Sequence, residues 1–182
     1  MKITEGPLAG LLIIEPRVFT DERGYFFEVF HQERYAAAGI PPLVQDNASV
    51  SKKNVIRGLH YQLPPHAQGK LVGVTRGCVW DVAVDIRVNS PTFGQWFGIE
   101  LSAENHKQLY IPPGFAHGFC VPSEEADFYY KCTDIYAPSS EGGIAWNDPT
   151  LNIQWPVEQP ILSPKDEIYL PLEEISHDRL FA

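Results

Sequence analysis

The sequence predicts a mainly β protein, a sandwich or barrel of many short strands with few helices. Glycine and proline number 14 and 16, and they recur at intervals that separate short apolar runs. Those runs are rich in Val, Ile, Tyr and Phe, the residues that strands favour. Helix-like segments are scarce. Many short strands bounded by turn residues are typical of a closed or double-layered β architecture.

Ten strands are predicted, bounded by turn signals such as Asp21-Glu-Arg-Gly24 and Pro112-Pro-Gly114. They are Leu11–Val18, Tyr25–Phe30, Leu43–Ser49, Val55–Gln62, Lys70–Arg76, Cys78–Arg87, Phe93–Leu101, Gln108–Ile111, Ala116–Val121 and Asp127–Tyr136. A short helix is predicted over His31–Ala38, where Gly39 can supply the left-handed cap. A second helix is predicted to begin at Ser163, followed by Pro164.

Length and composition favour one domain spanning residues 1–182, with an ordinary globular core. The net charge of −9 argues against nucleic-acid and anionic-membrane partners, which favour basic surfaces. No apolar run approaches the roughly 20 residues of a membrane helix, and the first residues lack the order of a secretory signal. The three cysteines, Cys78, Cys120 and Cys132, cannot all pair and form no CxxC motif, so we expect reduced thiols in the cytoplasm.

The segment Arg57-Gly-Leu-His-Tyr-Gln62, followed by Gln68-Gly-Lys70, holds the main candidate site. The imidazole of His60 can take and return protons near neutral pH, because its ordinary pKa is about 6.5. Arg57 offers a fork of donors that matches phosphate oxygens, beside a glycine that lets the backbone approach. Lys70 can stabilise the oxygen of an enolate. Together they indicate proton abstraction beside a carbonyl on an anionic sugar.

Strand alternation poses a difficulty, because it would point Arg57 and His60 to opposite faces. Either Gly58 marks a bulge that redirects one of them, or the ligand curls around the end of the strand. The sequence leaves both alternatives open.

A metal site is an alternative interpretation of His60. Metal cupins carry a His-x-His pair, but here the second position is Gln62. His66 lies in a proline-rich loop, out of step with the strand, and no cysteine compensates. The sequence therefore predicts a site without a metal and a reaction without a cofactor.

Other candidate residues are scattered along the chain. Tyr130 and Tyr136 share a parity, so one could donate a proton while the other stacks on a ring. Arg23 stands beside a glycine as a second possible phosphate ligand. No GxGxxG, P-loop, GxSxG or HExxH motif is present, so nicotinamide binding, nucleotide hydrolysis and serine or zinc hydrolysis lack support.

Seven motifs, in order, make the chain resemble the dTDP-4-dehydrorhamnose 3,5-epimerase family. They are Arg57-Gly-Leu-His-Tyr-Gln62, Gln68-Gly-Lys-Leu-Val72, Asp81-Val-Ala-Val-Asp-Ile-Arg87, Ser90-Pro-Thr-Phe-Gly94, Pro113-Gly-Phe-Ala-His-Gly-Phe119, Tyr130-Lys131 and Trp146-Asn-Asp-Pro149. The resemblance covers residues 3 to 166. It implies a cupin-type antiparallel jelly roll that forms a homodimer.

The resemblance also implies roles for individual residues. His60 would be the base, oriented by Asp166; Tyr130 would be the acid; and Lys70 would hold the enolate oxygen. Tyr136 would stack on the thymine of a dTDP-sugar. The remaining implied contacts to the nucleotide-sugar are Arg23, Glu28, Gln45, Asp46, Asn47, Arg57, His117, Glu141 and Lys165.

Three other functions stay open on the sequence. A one-centre epimerase acting at C3 or C5 would use the same histidine, tyrosine and lysine. A metal-dependent oxygenase or isomerase is disfavoured by Gln62. A cupin that only binds a sugar nucleotide would not need an acid and a base together.

Overall fold

The computed structural model describes residues 1–182, and strands dominate it. The strands are β1 Lys2–Glu5, β2 Leu12–Glu15, β3 Val18–Asp21, β4 Gly24–Phe27, β5 Gln45–Lys52, β6 Ile56–Gln62, β7 Lys70–Arg76, β8 Cys78–Asp85, β9 Trp96–Ser102, β10 Gln108–Ile111, β11 Phe115–Cys120, β12 Glu125–Cys132 and β13 Glu141–Gly143. One α-helix, α1, spans Gln32–Ala36, and three 3-10 turns span Pro138–Ser140, Leu172–Glu174 and His177–Arg179. No helix is long and apolar enough to cross a bilayer.

Two antiparallel sheets form the body of the molecule. Six strands pair in the order β1-β2-β10-β7-β12-β5, and five in the order β13-β6-β11-β8-β9. A buried apolar cluster takes side chains from both sheets, such as Val72 and Leu109 from one and Val79 and Phe119 from the other. Burial of this inner layer holds the sheets face to face. The cupin-type jelly roll expected from the sequence is confirmed.

The outer faces of both sheets are also covered in part. Leu59, Val82 and Val84 of the five-stranded sheet pack against apolar residues of the carboxy-terminal segment, including Ile153 and Leu180. On the six-stranded sheet, residues of β2, β7 and β10 pack beneath the helix α1.

Several predicted strands have different bounds in the structure. The predicted strand Leu11–Val18 is divided at Pro16, which lacks the N–H that a ladder requires. The predicted strand Asp127–Tyr136 ends at Cys132, so Tyr136 lies in the loop that follows. The short strands β1 and β13 were not predicted, because four and three residues carry too little pattern.

The first predicted helix is confirmed and the second is wrong. Gly39 adopts φ +85° just beyond α1, as a left-handed cap requires. At Ser163 the hydroxyl does accept the Asp166 N–H at 3.2 Å, as a helix cap would. The chain nevertheless makes only a turn, and the Leu170 carbonyl that follows it accepts the Ala145 N–H at 2.9 Å.

A separate two-stranded hairpin, β3–β4, stands apart from both sheets. Its aromatic side chains Phe19 and Phe26 are 51% and 68% exposed. Exposed aromatic residues on one hairpin form an apolar surface that a compact monomer normally buries.

Candidate active site

A cavity of about 440 Å³ opens between the two sheets. An adjoining cavity of about 280 Å³ shares His60, Lys70 and Tyr130 with it. Of the predicted site residues, the larger cavity is lined by Arg57, His60, Lys70, His117, Tyr130, Lys165 and Asp166. The smaller one adds Gln45, Asn47, Tyr136 and Glu141. Eleven of the fourteen predicted residues therefore surround one continuous region, with His60, Tyr130 and Lys70 at its centre.

His60 and Asp166 form a close pair although 106 positions separate them. His60 Nε2 lies 2.5 Å from Asp166 Oδ1. Burial raises the pKa of the Asp166 carboxyl, but hydrogen bonds from His60, Ser163 and the Gly58 backbone more than offset this and hold it below its ordinary value. The carboxylate is therefore ionised, and it orients the imidazole by accepting its Nε2–H. The lone pair then lies on Nδ1, as a base requires.

A bulge places Arg57 and His60 at the same cavity. On β11, His117 pairs with His60, whereas Phe119 pairs with Arg57, so β6 has one residue more than its partner over this interval. Gly58, at φ +131°, occupies the bulge, and a Cβ there would lie 2.5 Å from the Gly118 Cα. No other residue type fits this position. The alternative with a bulge at Gly58 is thus the one the structure adopts.

Arg57 reaches into the larger cavity from the bulged strand. Its Nε donates to the Ser51 hydroxyl at 3.0 Å, which fixes the direction of the side chain. The terminal nitrogens have no ion pair with a carboxylate of the protein. A guanidinium held in this way keeps its donors available for an anionic ligand.

Lys70 begins β7 and points a cation into the cavity. Burial lowers the pKa of its ammonium group, whereas charge on Cys132, Asp81 and Glu141 opposes that shift. Its ammonium group donates no hydrogen bond to a neighbouring side chain. A half-buried ammonium group without a direct partner is a strong donor for an oxygen that gains negative charge.

Tyr130 approaches from the opposite sheet. It lies on β12, beside Asn47 of β5 and Val72 of β7, whereas His60 lies on β6. Burial is the largest cause that raises the pKa of the Tyr130 phenol, and the cation of Arg57 opposes it. The phenol is therefore protonated at neutral pH and can donate a proton.

His117 forms a second histidine–aspartate pair. Its Nε2 lies 2.8 Å from Asp81 Oδ2, and both side chains are buried. Burial lowers the pKa of His117, with further lowering from Lys70 and His60, and the charge of Asp81 opposes these effects. His117 is consequently neutral at pH 7.

A polar cluster forms the rim of the smaller cavity. The Tyr136 hydroxyl donates to Glu141 Oε2 at 3.0 Å, and the Tyr136 N–H donates to Gln45 Oε1 at 2.7 Å. Lys165 pairs with Glu141 Oε1. The Tyr136 ring is half exposed and stands at the mouth, where a flat base could lie against it.

Three predicted residues do not reach the cavity of this chain. Arg23 lies in the β3–β4 hairpin and pairs with Asp21. Glu28 pairs with Arg34, and Asp46 pairs with Lys131 at 2.6 Å on the outer face of β5. Asp46 has the opposite parity to Gln45 and Asn47, which explains its outward direction.

Two residues at the site were not among the predictions. Asp81 supports His117, and Tyr169 packs edge-on against the His60 ring at 5.8 Å between centroids. The alternation Asp81-Val-Ala-Val-Asp85 could have revealed buried acids on one face of β8, because an acid in an apolar strand needs a partner. Nothing in the sequence pattern places Tyr169 beside His60.

Fold and site together are those of a cupin-type isomerase, a β-sandwich enzyme with acidic and basic side chains around a cavity between its sheets. The model of the dTDP-4-dehydrorhamnose 3,5-epimerase family matches residues 5–174, and the chain belongs to that family. It is 55% identical to the dTDP-4-dehydrorhamnose 3,5-epimerase of Shigella flexneri over 168 residues, which cover 91% of this chain and 93% of the relative.

Solved structures agree with this assignment. A dTDP-6-deoxy-D-glucose-3,5-epimerase from Legionella pneumophila Philadelphia 1, in complex with dTDP-4-keto-L-rhamnose, superposes with a TM-score of 0.95. It is 54% identical, and the match covers 99% of this chain and 97% of that one. A 3'-monoepimerase from Streptomyces bikiniensis, in complex with dTDP-quinovose, is 35% identical with a TM-score of 0.86, covering 92% and 86%.

Proposed function

We propose that this enzyme inverts both C3 and C5 of dTDP-4-dehydro-6-deoxy-D-glucose and yields dTDP-4-dehydro-L-rhamnose. Both carbons lie next to the C4 ketone, so removal of either proton gives an enolate on the same oxygen. One cation can therefore stabilise both intermediates. The observation that carries the proposal is that His60, Tyr130 and Lys70 line the same cavity.

His60 acts as the base in this mechanism. Its Nδ1 lone pair takes the C3 or C5 proton, and Asp166 stabilises the imidazolium that forms. The electron pair of the C–H bond moves into the C–C bond of the enolate, and the carbonyl π pair moves to the C4 oxygen. Lys70 holds that oxygen. The electrostatic stabilisation by its charge is stronger here than in water, because the two sheets shield the cavity from solvent.

Tyr130 returns a proton to the other face of the ring. It projects from the six-stranded sheet, whereas His60 projects from the five-stranded sheet. A sugar between them would present opposite faces to the base and the acid, as inversion requires. After donation, the phenolate and the imidazolium exchange their proton with solvent, and the site is restored for the second centre.

Arg57 binds the diphosphate and Tyr136 stacks on thymine in this proposal. Arg57 supplies a fixed guanidinium inside the cavity, and Tyr136 stands at the mouth. Gln45, Asn47, Glu141 and Lys165 surround the nucleotide at the rim, and His117 contacts the sugar or the phosphate from the inner wall.

Two-centre inversion is tested by running the reaction in D₂O. Deuterium is expected at both C3 and C5 of the product, located by proton NMR. Label at C3 alone would favour a one-centre enzyme, the reaction named for the 3'-monoepimerase from Streptomyces bikiniensis. Relatives 50–56% identical are named as 3,5-epimerases, whereas the 3-epimerase of Streptomyces niveus is 40% identical, which favours two centres.

The reaction is proposed to need no metal. Nowhere do three or more His, Cys, Asp or Glu side chains come close enough to hold an ion. Activity after exhaustive chelation should equal that of untreated enzyme. Loss of activity that added Zn²⁺, Mn²⁺ or Fe²⁺ restores would contradict this.

A cytoplasmic homodimer of one 182-residue domain is the proposed working form. The exposed Phe19 and Phe26 give the β3–β4 hairpin a surface for a second copy. The same hairpin carries Arg23, so a partner could bring this cation to the nucleotide. Mixing Arg23→Ala with His60→Ala, each weakly active alone, should then restore turnover by assembling one intact site. Absence of any gain, or a monomer by sedimentation, would contradict the arrangement.

A further inference from the structure

Only one of the two oxygens of the buried Asp81 carboxylate has a hydrogen-bond partner in the protein. Its side chain is fully buried on β8, and Oδ2 accepts the His117 N–H at 2.8 Å. Its second oxygen, Oδ1, is also buried and has no hydrogen-bond partner. A buried carboxylate oxygen left without a partner is costly unless nearby charge compensates it.

A purely structural role does not explain why Asp81 is buried with one oxygen unpartnered. Strands β8 and β11 are already joined through six residue pairs, from Phe115 opposite Asp85 to Cys120 opposite Trp80. The Asp81–His117 contact adds little to that pairing. Asp85, four positions along the same strand, shows how the fold satisfies a structural carboxylate: Arg87, Ser90 and Thr92 all donate to it.

Compensating charge for Asp81 comes from the cavity. Asp81 acts electrostatically on Lys70, across the gap between the sheets, and on His117, which it contacts. Other groups also act on Lys70 or line the cavity beside it. Two of them, Glu141 and Asp166, are carboxylates that already pair with Lys165 and His60, whereas Asp81 Oδ1 has no partner. The groups are Cys132 and Tyr130 from β12, Glu141 from β13, Arg57 and His60 from β6, His117 from β11, and Tyr136, Lys165 and Asp166 from loops.

We propose that Asp81 is a positioning residue for the epimerisation: its charge favours the ammonium form of Lys70, and its hydrogen bond fixes the proton of the neutral His117 ring on Nε2. The inference rests on the proposed proton-transfer function. Burial works against the charged form of Lys70. The His117 tautomer leaves an acceptor lone pair on Nδ1, suited to a substrate hydroxyl rather than to phosphate.

The tautomer is tested on the wild-type enzyme without substrate. In protein labelled with ¹⁵N-histidine, the His117 signals, identified by their loss in His117→Asn, should show a neutral ring protonated on Nε2 at pH 7.5. An imidazolium or a ring protonated on Nδ1 would overturn the proposal. Because no turnover is needed, this result does not depend on which sugar carbons the enzyme inverts.

The charge on Lys70 is tested with Asp81→Asn, which keeps an acceptor for His117 and removes the charge. The pKa of Lys70 should fall, and the alkaline limb of the kcat–pH profile should move down by about 1–3 pH units. The KM should change much less than kcat. Deuterium exchange at C3 alone suffices as the readout, so failure of two-centre inversion would not obscure the outcome.

Asp85→Asn is the matched control. It removes a buried carboxylate from the same strand, outside the cavity. It should lower thermal stability without moving the alkaline limb. If Asp81→Asn folds and keeps the wild-type profile, or if both variants shift it equally, the inference is wrong. If Asp81→Asn does not fold, the His117 tautomer measured in the wild-type enzyme tests the proposal on its own.

Discussion

Two histidine–aspartate pairs lie side by side on neighbouring strands, and they differ mainly in exposure. His60 on β6 and His117 on β11 are register partners, and each ring bonds a carboxylate through Nε2. The His60 side chain is 28% exposed to the cavity, whereas that of His117 is 8% exposed. The carboxylate of the first pair comes from a loop, and that of the second from the adjacent strand.

This comparison shows that the environment, not the pair itself, assigns the chemical role. A base must meet its substrate and must tolerate a charge when it takes a proton. His60 can do both, because it opens to the cavity and has an ionised carboxylate with satisfied hydrogen bonds behind it. His117 is kept neutral by burial, and so it suits binding rather than proton abstraction.

The largest expected difference between the pairs is in turnover. His60→Ala should lower kcat by about 10⁴-fold, at the upper end of what a general base contributes. The affinity for dTDP, measured by calorimetry, should change little, because Arg57 and the rim residues remain. His117→Asn should retain far more activity than His60→Ala.

His66→Ala is a matched control for this experiment. His66 also lies near a carboxylate, with Nδ1 3.3 Å from Asp134 Oδ2, but it does not line the cavity. Its removal should leave kcat unchanged. A near-wild-type rate for His60→Ala would show that the base has been assigned to the wrong pair.

A smaller effect is expected from the carboxylate of the first pair. Asp166→Asn should reduce kcat by about 10²-fold, because the amide cannot stabilise the imidazolium as a carboxylate does. Binding of dTDP should persist. Asp134→Asn is the control, because Asp134 pairs with His66 and does not line the cavity. Equal losses of kcat in the two variants would show that Asp166 has no special role at His60.

The smallest effect concerns stability and pH. The pKa of His117 is lower in the folded protein than its ordinary 6.5, so below pH 6.5 the unfolded chain binds the proton more readily. Stability should therefore fall as the pH drops from 6.5 toward the folded pKa. His117→Asn should lack this component, a difference in slope of at most about 1.4 kcal/mol per pH unit in denaturant titrations. Parallel curves for the two proteins would contradict it.

The strand-rich fold was predictable because turn residues and β-branched runs act locally. The paired sheets and the position of Lys70 at the start of β7 follow from such local signals. Tyr136 was assigned to a strand with Tyr130 by parity, but the chain leaves β12 at Cys132. It reaches the cavity from the loop, held there by Gln45 and Glu141.

Long-range geometry was not predictable from pattern alone. Arg57 and His60 share a cavity only because the facing glycines, Gly58 and Gly118, allow a bulge. Asp166 meets His60 across 106 positions, and only the family resemblance suggested it. Arg23 remains a prediction, because its place at a site depends on a second copy of the chain.

Separating proton exchange from inversion in Tyr130→Phe tests the central claim most directly. With the base intact and the acid removed, substrate recovered from D₂O should gain deuterium at C3 within about tenfold of the wild-type rate, while epimerised product falls by about 10²-fold. That result would place the base and the acid on opposite faces of the sugar. If exchange and inversion fall together, or if inversion continues unchanged, the division of work between His60 and Tyr130 is contradicted.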